Sequence, residues 1–178
     1  MRCEAALHEA AARESGLVPL RHPAPAQLLG PQARQLLDEV IAFAGGQGAL
    51  RGAFGPLLPS GLVVELKAED PGLLSAAVVY LSESLGRMVL RMDSGRVVSR
   101  YIGEAEQNLK RQLAAAERVG AVLYLPAADS LLGRRLAVTG TEERYSNQQV
   151  NYLLQRLDSF TGMLVFSTDR PQDLDPAL

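Results

Sequence analysis

The stretch AVLYLPAADSLLGRR, residues 121–135, decides the fold. Its first five residues, Ala121–Leu125, form an uninterrupted apolar run. Such a run, after a helical segment and a glycine, is typical of a buried strand in a parallel sheet. In open parallel sheets the chemistry lies just past the carboxyl ends of the strands. Here that place holds Pro126, Ala127 and Ala128, whose side chains carry no acid, base or nucleophile. The position suits catalysis, but these residue types do not.

Strands and helices alternate from residue 61 onward. The predicted strands are Leu62–Leu66, Met88–Met92, Ala121–Leu125 and Met163–Thr168. The predicted helices between them span residues 72–85, 103–118 and about 144–160. Strands that alternate with helices of this length form βαβ units with right-handed crossovers. The pattern therefore predicts a three-layer α/β domain with a parallel sheet of about four strands.

The chain before this alternation is predicted as two parts. Residues 1–28 form an N-terminal helix, rich in alanine at residues 3–15, and a linker with three prolines at residues 16–27. Pro31 then opens a longer helix, which Gly45 and Gly46 end. A loop is expected over residues 47–60. The apolar face of the longer helix is predicted to consist of Leu36, Leu37, Val40, Ile41, Phe43 and Ala44.

Composition restricts the class of function. The chain has 178 residues, of which 47% are hydrophobic and 21% charged, as in a globular domain with a core. A formal net charge of -2 gives no basic surface for nucleic acid. No apolar run approaches the roughly 20 residues of a membrane helix. Cys3 is the sole cysteine, which fits a reducing compartment. We therefore expect a cytoplasmic protein without nucleic-acid or membrane partners.

Three segments, in order along the chain, resemble the ATPase core of the AAA+ family, within the P-loop NTPase superfamily. Residues 97–108 are VVSRYIGEAEQN, similar to the family's S-K-Y-I/V-G-E-S/T-E-K-N segment. Residues 144–157 are RYSNQQVNYLLQRL, similar to the helix before the family's sensor strand. Residues 168–176 contain TDR and then LDP, similar to the sensor region. The resemblance covers about residues 29–178 and implies the strand order 1-4-3-2. It indicates a degenerate bacterial member, or the inactive first module of a tandem AAA+ protein.

The resemblance places the phosphate-binding loop, G-x-x-x-x-G-K-S/T, on residues 68–75, AEDPGLLS. Ala68 and Leu73 replace its glycines, and Leu74 replaces the lysine that neutralises phosphate charge. Between them lie two carboxylates and a proline, which add negative charge and remove an N–H donor. Ser75 alone keeps its type, and a serine at a helix start is its simpler interpretation. The degenerate cofactor-binding positions are Ala68, Glu69, Asp70, Pro71, Gly72, Leu73, Leu74 and Ser75.

The other catalytic positions implied by the resemblance have changed as well. Pro126 and Ala127 stand where the family has the acids that hold Mg²⁺ and orient water. Asp129 keeps the last position of that motif, where a helix cap is the better interpretation. Asp169 replaces the family's polar sensor, usually asparagine. The positions that are catalytic in the family therefore hold residues without that chemistry. These degenerate positions are Leu74, Pro126, Ala127 and Asp169.

One functional segment of the family persists. Tyr101, Ile102 and Gly103 match its first pore loop, which implies contact with a protein substrate or partner. An aromatic residue packed at a helix start is the equal alternative. The final residues 174–178, LDPAL, resemble L-D-P-A-F/L, which in the family precedes a fifth strand and a helical lid. We therefore expect a truncated core over residues 29–178, with that strand and lid missing.

The leading functional hypothesis is a non-hydrolysing scaffold or regulatory module of an AAA+ assembly. Its expected partners are AAA+ subunits or copies of itself, and no cofactor or metal is expected. A second hypothesis is a divergent ATPase that binds ATP and Mg²⁺ through unusual contacts. A third is an adaptor that holds a protein partner through the pore-loop segment.

Overall fold

The computed structural model of the chain describes residues 15–20, 26–55, 61–92, 102–128, 152 and 155–168. Its elements are β1 (Val18–Pro19), a 3-10 helix (Ala26–Leu28), α1 (Pro31–Phe54), β2 (Leu62–Leu66), α2 (Pro71–Leu85), β3 (Val89–Arg91), α3 (Ile102–Val119), β4 (Val122–Leu125) and β5 (Met163–Ser167). Residues 152 and 155–159 are also helical, within the predicted helix 144–160. The strands predicted from residue 61 onward, and the two helices described in full, differ from these bounds by at most one residue at either end.

The strands form one sheet in the order β1-β3-β4-β5-β2. β3, β4, β5 and β2 are parallel, and β1 is antiparallel to β3. Counted along the chain, the four parallel strands have the order 1-4-3-2, as the family resemblance implies. The α/β fold class with a mostly parallel sheet is therefore confirmed.

β1 lies within the segment predicted as a linker. Val18 pairs with Arg91 and Pro19 with Leu90, which adds a fifth strand to the expected four. The Leu20 N–H extends this pairing by donating to the Val89 carbonyl at 3.1 Å. A proline is tolerated at a sheet edge because no neighbouring strand needs its N–H. Residues 1–14, which include most of the predicted N-terminal helix, lie outside the described residues.

The core fills both faces of the sheet, and β4 shows why. All four of its residues are buried, and successive side chains of a strand point to opposite faces. Val122 and Tyr124 pack in the cluster that includes α2, whereas Leu123 and Leu125 pack in the cluster that includes α3. The three-layer arrangement follows from this division.

α1 is longer than the sequence predicts. Gly45 and Gly46 do not end it, and the helix continues through the expected loop to Phe54. A glycine in a helix interior costs up to about 1 kcal/mol, which does not by itself break a helix whose later residues include alanine, leucine and arginine. The helix ends at Gly55, whose φ of 59° is in the left-handed region that favours glycine.

The apolar face of α1 is only partly buried. Leu37 and Ala44 are buried, and Val40 and Ile41 pack partly against the cluster that includes α2. Leu36 and Phe43 were expected on the same face, yet they are 64% and 43% exposed.

The Tyr80 hydroxyl on α2 donates to Asp38 Oδ1 on α1 at 2.7 Å, and this hydrogen bond raises the pKa of Tyr80.

We predict that Leu81→Ala lowers the free energy of unfolding by about 2–5 kcal/mol, because Leu81 is fully buried and its truncation leaves a cavity. Urea denaturation followed by circular dichroism measures the change. Leu36→Ala is the matched control, since an exposed side chain contributes less than about 0.5 kcal/mol. Equal losses for the two variants would show that the burial of these helices is wrongly assigned.

Candidate functional site

The carboxyl ends of β2, β4 and β5 meet at one edge of the sheet because these strands are parallel. β2 leads into residues 67–70, β4 into residues 126–128, and β5 into Thr168. Ligands of open α/β sheets bind at this edge. The candidate site therefore consists of the β2–α2 loop and the turn after β4.

Asp70 organises the β2–α2 loop by capping the N-terminus of α2. Its Oδ1 accepts a hydrogen bond from the Gly72 N–H at 2.8 Å. Its carbonyl oxygen accepts from the N–H groups of Leu73 and Leu74 at 3.0 and 3.4 Å. Pro71, the first residue of the helix, has no N–H. The carboxylate of Asp70 thus lies at the positive end of the helix, where an anion binds best.

The other positions within residues 68–75 make contacts inside the domain or face solvent. The Ser75 hydroxyl donates to the carbonyl of Pro71 at 3.1 Å, a backbone contact typical of serine inside a helix. Leu74, at the lysine position, is buried, and Leu73 and Ala68 are half-buried. Glu69 is exposed to solvent. Residues 68–75 therefore offer two carboxylates, those of Glu69 and Asp70, and no cation, and the preceding Lys67 pairs with Glu65.

Hydrogen bonds hold the turn after β4 against β5. The Ala128 N–H donates to the Ser167 carbonyl at 2.7 Å, and the Ala127 N–H to Ser167 Oγ at 3.3 Å. The Tyr124 hydroxyl lies 3.3 Å from the same Oγ. Ala127 has a φ of 47°, a conformation that costs a non-glycine residue about 1–3 kcal/mol. Pro126 is half-buried and Ala128 is buried.

Sequence reasoning missed the roles of Tyr124 and Ser167. The available signal was a hydroxyl residue at the end of an otherwise apolar strand, directly where β5 reaches the site edge.

Among the residues predicted for the site, the described ones are those at 68–75 and 126–127, together with Ile102 and Gly103, which open α3. Tyr101, Asp129 and Asp169 lie outside the described residues.

A cavity of about 850 Å³ lies between α1 and β2 and reaches the β2–α2 loop at Ala68, Leu73 and Leu74. We call it the α1–β2 groove. Its walls are mainly apolar, and its charged residues are Glu39, Glu65 and Lys67. The volume is in the range of small-molecule sites. Its charged residues, one lysine and two glutamates, do not suit a polyanion.

The described residues 68–75 and 126–127 do not fit the usual binding of ATP and Mg²⁺. A nucleotide phosphate needs free N–H donors and a cation, whereas the Gly72 N–H is bound by the Asp70 carboxylate and Leu74 is an apolar, buried residue. Mg²⁺ needs oxygen ligands, which the side chains of Pro126 and Ala127 lack.

None of the helices in the described parts of the chain is long and apolar enough to cross a membrane.

Comparison with known proteins identifies the relatives of this chain. The sequence model of the family described as "ATPase family associated with various cellular activities (AAA)" matches residues 75–178. The 26S proteasome subunit RPT4 of Saccharomyces cerevisiae is 27% identical over 111 residues, 60% of this chain and 25% of that protein. The 26S proteasome regulatory subunit 10B homolog A of Arabidopsis thaliana is 26% identical over 160 residues, 84% of this chain and 38% of that protein. The chain thus spans well under half of the length of these relatives.

Two further similarities agree with these. The cell division cycle protein 48 homolog of Archaeoglobus fulgidus is 33% identical over 84 residues, 46% of this chain and 12% of that protein. A chain in the solved structure of the Escherichia coli HORMA:CdnC:Trip13 complex superposes with a TM-score of 0.62 at 13% identity. That match covers 90% of this chain and 64% of the other, and it supports the fold.

We predict that Asp70→Ala lowers the free energy of unfolding by about 0.5–2 kcal/mol, because it leaves the Gly72 N–H without its cap. Thermal and urea denaturation measure the loss. Asp70→Ser should retain most of the stability, since a serine hydroxyl can accept the same hydrogen bond. Glu69→Ala is the exposed neighbouring control and should change stability by less than about 0.5 kcal/mol. An unchanged stability of Asp70→Ala would contradict the capping role.

Proposed function

The chain belongs to the family of ATPases associated with various cellular activities (AAA), and on this basis we propose that it is a degenerate, non-hydrolysing domain of that family, which acts as a scaffold or regulatory module of an AAA+ assembly. The observation that carries the proposal is the Asp70 carboxylate at the N-terminus of α2, bound to the Gly72 N–H at 2.8 Å. A phosphate group would have to displace this carboxylate from its own helix.

Charge around the loop supports weak or absent nucleotide binding. Glu69 and Asp70 put two carboxylates beside the expected position of the phosphates. Like charges about 4 Å apart repel by roughly 1–4 kcal/mol at a protein surface. Lys67, the nearest lysine in sequence, already pairs with Glu65 at 3.0 Å. Binding of a triphosphate would therefore meet repulsion that Lys67, already paired with Glu65, does not offset.

The chemistry of hydrolysis would lack its groups even if nucleotide bound. Pro126 and Ala127 supply no acid to hold Mg²⁺ or to orient water. Ser75 keeps the hydroxyl expected at the last position of the phosphate loop. That hydroxyl donates to the backbone carbonyl of Pro71. This supports a domain kept for its shape rather than for turnover.

The proposed partners are AAA+ subunits or further copies of this chain. The Saccharomyces cerevisiae and Arabidopsis thaliana relatives carry the names of 26S proteasome subunits, which supports a place within a multi-subunit assembly. We place that assembly in the cytoplasm, where a chain with a single cysteine meets a reducing environment. The segment Tyr101–Gly103, whose last two residues begin α3, is the candidate contact with a protein partner.

We predict that calorimetric titration with Mg-ATP gives no binding in the micromolar range and that a phosphate-release assay gives no turnover. Leu74→Lys should leave the protein inactive, because phosphate, metal and water positions act as a unit. A micromolar dissociation constant for the unmodified chain would contradict the binding claim. Turnover that Ser75→Ala abolishes would instead support the divergent ATPase.

A further inference from the structure

A second, smaller cavity lies on the opposite face of the sheet from the α1–β2 groove. It has a volume of about 230 Å³ and opens between α3 and the helical residues 155–159. We call it the α3 cleft. Every residue that lines it belongs to the described part of the chain. Because Glu117 and Phe160 of its wall come shortly before β4 and β5, the cleft lies away from the carboxyl ends of the strands, where the candidate site is.

The walls of the α3 cleft are held at a fixed separation. Its floor is apolar, since Leu113 on α3 and Phe160 before β5 are both buried in the same core cluster. Above the floor, Glu117 Oε1 accepts two hydrogen bonds from Thr161, from the backbone N–H at 2.8 Å and from Oγ1 at 3.0 Å. These bonds join α3 to the segment before β5. The cleft is therefore formed by the fold and does not need a ligand to assemble it.

Arg156, on the wall opposite α3, is held in place by Tyr152. Its Nε donates to the Tyr152 hydroxyl at 3.3 Å, and its Cζ lies 5.7 Å from the centre of the Tyr152 ring. Tyr152 itself packs against the core cluster. A guanidinium stacked on an aromatic ring is restrained while its two terminal nitrogens stay available. Arg156 is thus positioned to receive an anion.

The positive charges of the α3 cleft exceed its negative charge. Lys110 and Arg156 contribute the cations, and Glu117 contributes the carboxylate. Within the part of the chain that the structure describes, neither Lys110 nor Arg156 has a carboxylate within 4.0 Å. Glu106 precedes Lys110 by one helical turn, a spacing that favours ion pairs, yet it does not pair with this lysine either. The cleft therefore has one positive charge that no side chain of the described residues balances.

We propose that the α3 cleft binds the acidic side chain of a protein partner, an aspartate or a glutamate. Its carboxylate would bind Lys110 and Arg156, and its methylene groups would contact Leu113 and Phe160. The guanidinium of arginine matches a carboxylate because two parallel N–H groups reach both oxygens. The volume supports a single side chain, since sites for whole small molecules begin at about 300 Å³.

Glu117 favours a carboxylate over a phosphate group as the occupant. Its two hydrogen bonds to Thr161 keep its negative charge in the wall of the cleft. A phosphate group carries a charge of about −1.5 to −2 at neutral pH, whereas a carboxylate carries one. Repulsion by Glu117 is therefore greater for phosphate. The unbalanced charge of the cleft matches one carboxylate.

This inference deepens the proposed scaffold function by giving the chemistry of a partner contact, and it rests on that function only for its biological context. Its test uses a carboxylate ligand and no nucleotide. A failure of the cleft to bind this ligand leaves the nucleotide experiment unaffected, and the reverse also holds.

The experiment is a titration of the full 178-residue chain, labelled with ¹⁵N, followed by two-dimensional NMR. The probe is N-acetyl-glutamate amide, a glutamate whose backbone charges are blocked, and the ionic strength is held constant because salt screens such contacts. We expect saturable shifts in the millimolar range at the backbone amides of residues 110–117 and 156–161. The neutral isostere N-acetyl-glutamine amide should not cause them.

Substitutions in the wall should change the affinity in opposite directions. Lys110→Gln and Arg156→Gln should each weaken binding about two- to fivefold, the contribution of a solvent-accessible ion pair. Glu117→Gln should strengthen it, because the negative charge is lost while the amide oxygen can still accept from Thr161. Arg118→Gln removes an exposed cation of α3 that does not line the cleft, and it should leave binding unchanged.

Circular dichroism checks that each variant is folded. Because Lys110 is exposed, its variant keeps the test decisive even if Arg156→Gln unfolds. The proposal is overturned if the probe causes no saturable shifts at the cleft, or if the glutamine analogue causes the same ones. Equal weakening by Lys110→Gln and Arg118→Gln would also overturn it, as would weaker binding to Glu117→Gln. Inorganic phosphate that binds the same amides more tightly than the probe would overturn the assignment of a carboxylate.

Discussion

The parallel pairing of β4 with β5 is the contact on which the rest of this structure depends. Every residue of both strands is buried, so their side chains supply the core on each face of the sheet. Their register, with Leu125 opposite Phe166, also brings the turn after β4 next to Ser167. The backbone hydrogen bond from Ala128 to Ser167 then fixes that turn. The core and the candidate site are therefore set by the same pair of strands.

The parts of the fold that the sequence predicts well are those where burial dominates. Continuous apolar runs such as Val122–Leu125 have few alternatives to a buried strand, and their bounds are predicted to within one residue. β1 is missed because two residues that include a proline carry no strand pattern, and their pairing with β3 depends on tertiary position. The end of α1 is missed because glycine is a weak stop inside a helix, and only Gly55 adopts the left-handed backbone that ends it. For the site, sequence identifies which groups are absent, but not the hydrogen bonds of Asp70 and Ser167, which depend on the folded loops.

Three positions that the family resemblance associates with nucleotide chemistry make contacts within this domain. Asp70 caps α2, Ser75 bonds to the backbone of its own helix, and Leu74 is part of the buried core. A phosphate-binding loop must keep N–H donors free for its ligand. Here the Asp70 carboxylate accepts from the Gly72 N–H instead. This cap stabilises the first turn of α2 from within the chain.

The position of β2 in the sheet depends on a close backbone contact at Gly61. A Cβ atom at Gly61 would lie 2.4 Å from the Phe160 carbonyl oxygen and 2.7 Å from that of Gly162. Both are backbone atoms, so only glycine allows the chain to enter β2 this close to the segment before β5. The approach fixes Leu62 opposite Met163 and holds the strand in register along its whole length. The close contact at Gly61 thus attaches β2 to the sheet, and β2 in turn leads into the β2–α2 loop of the candidate site.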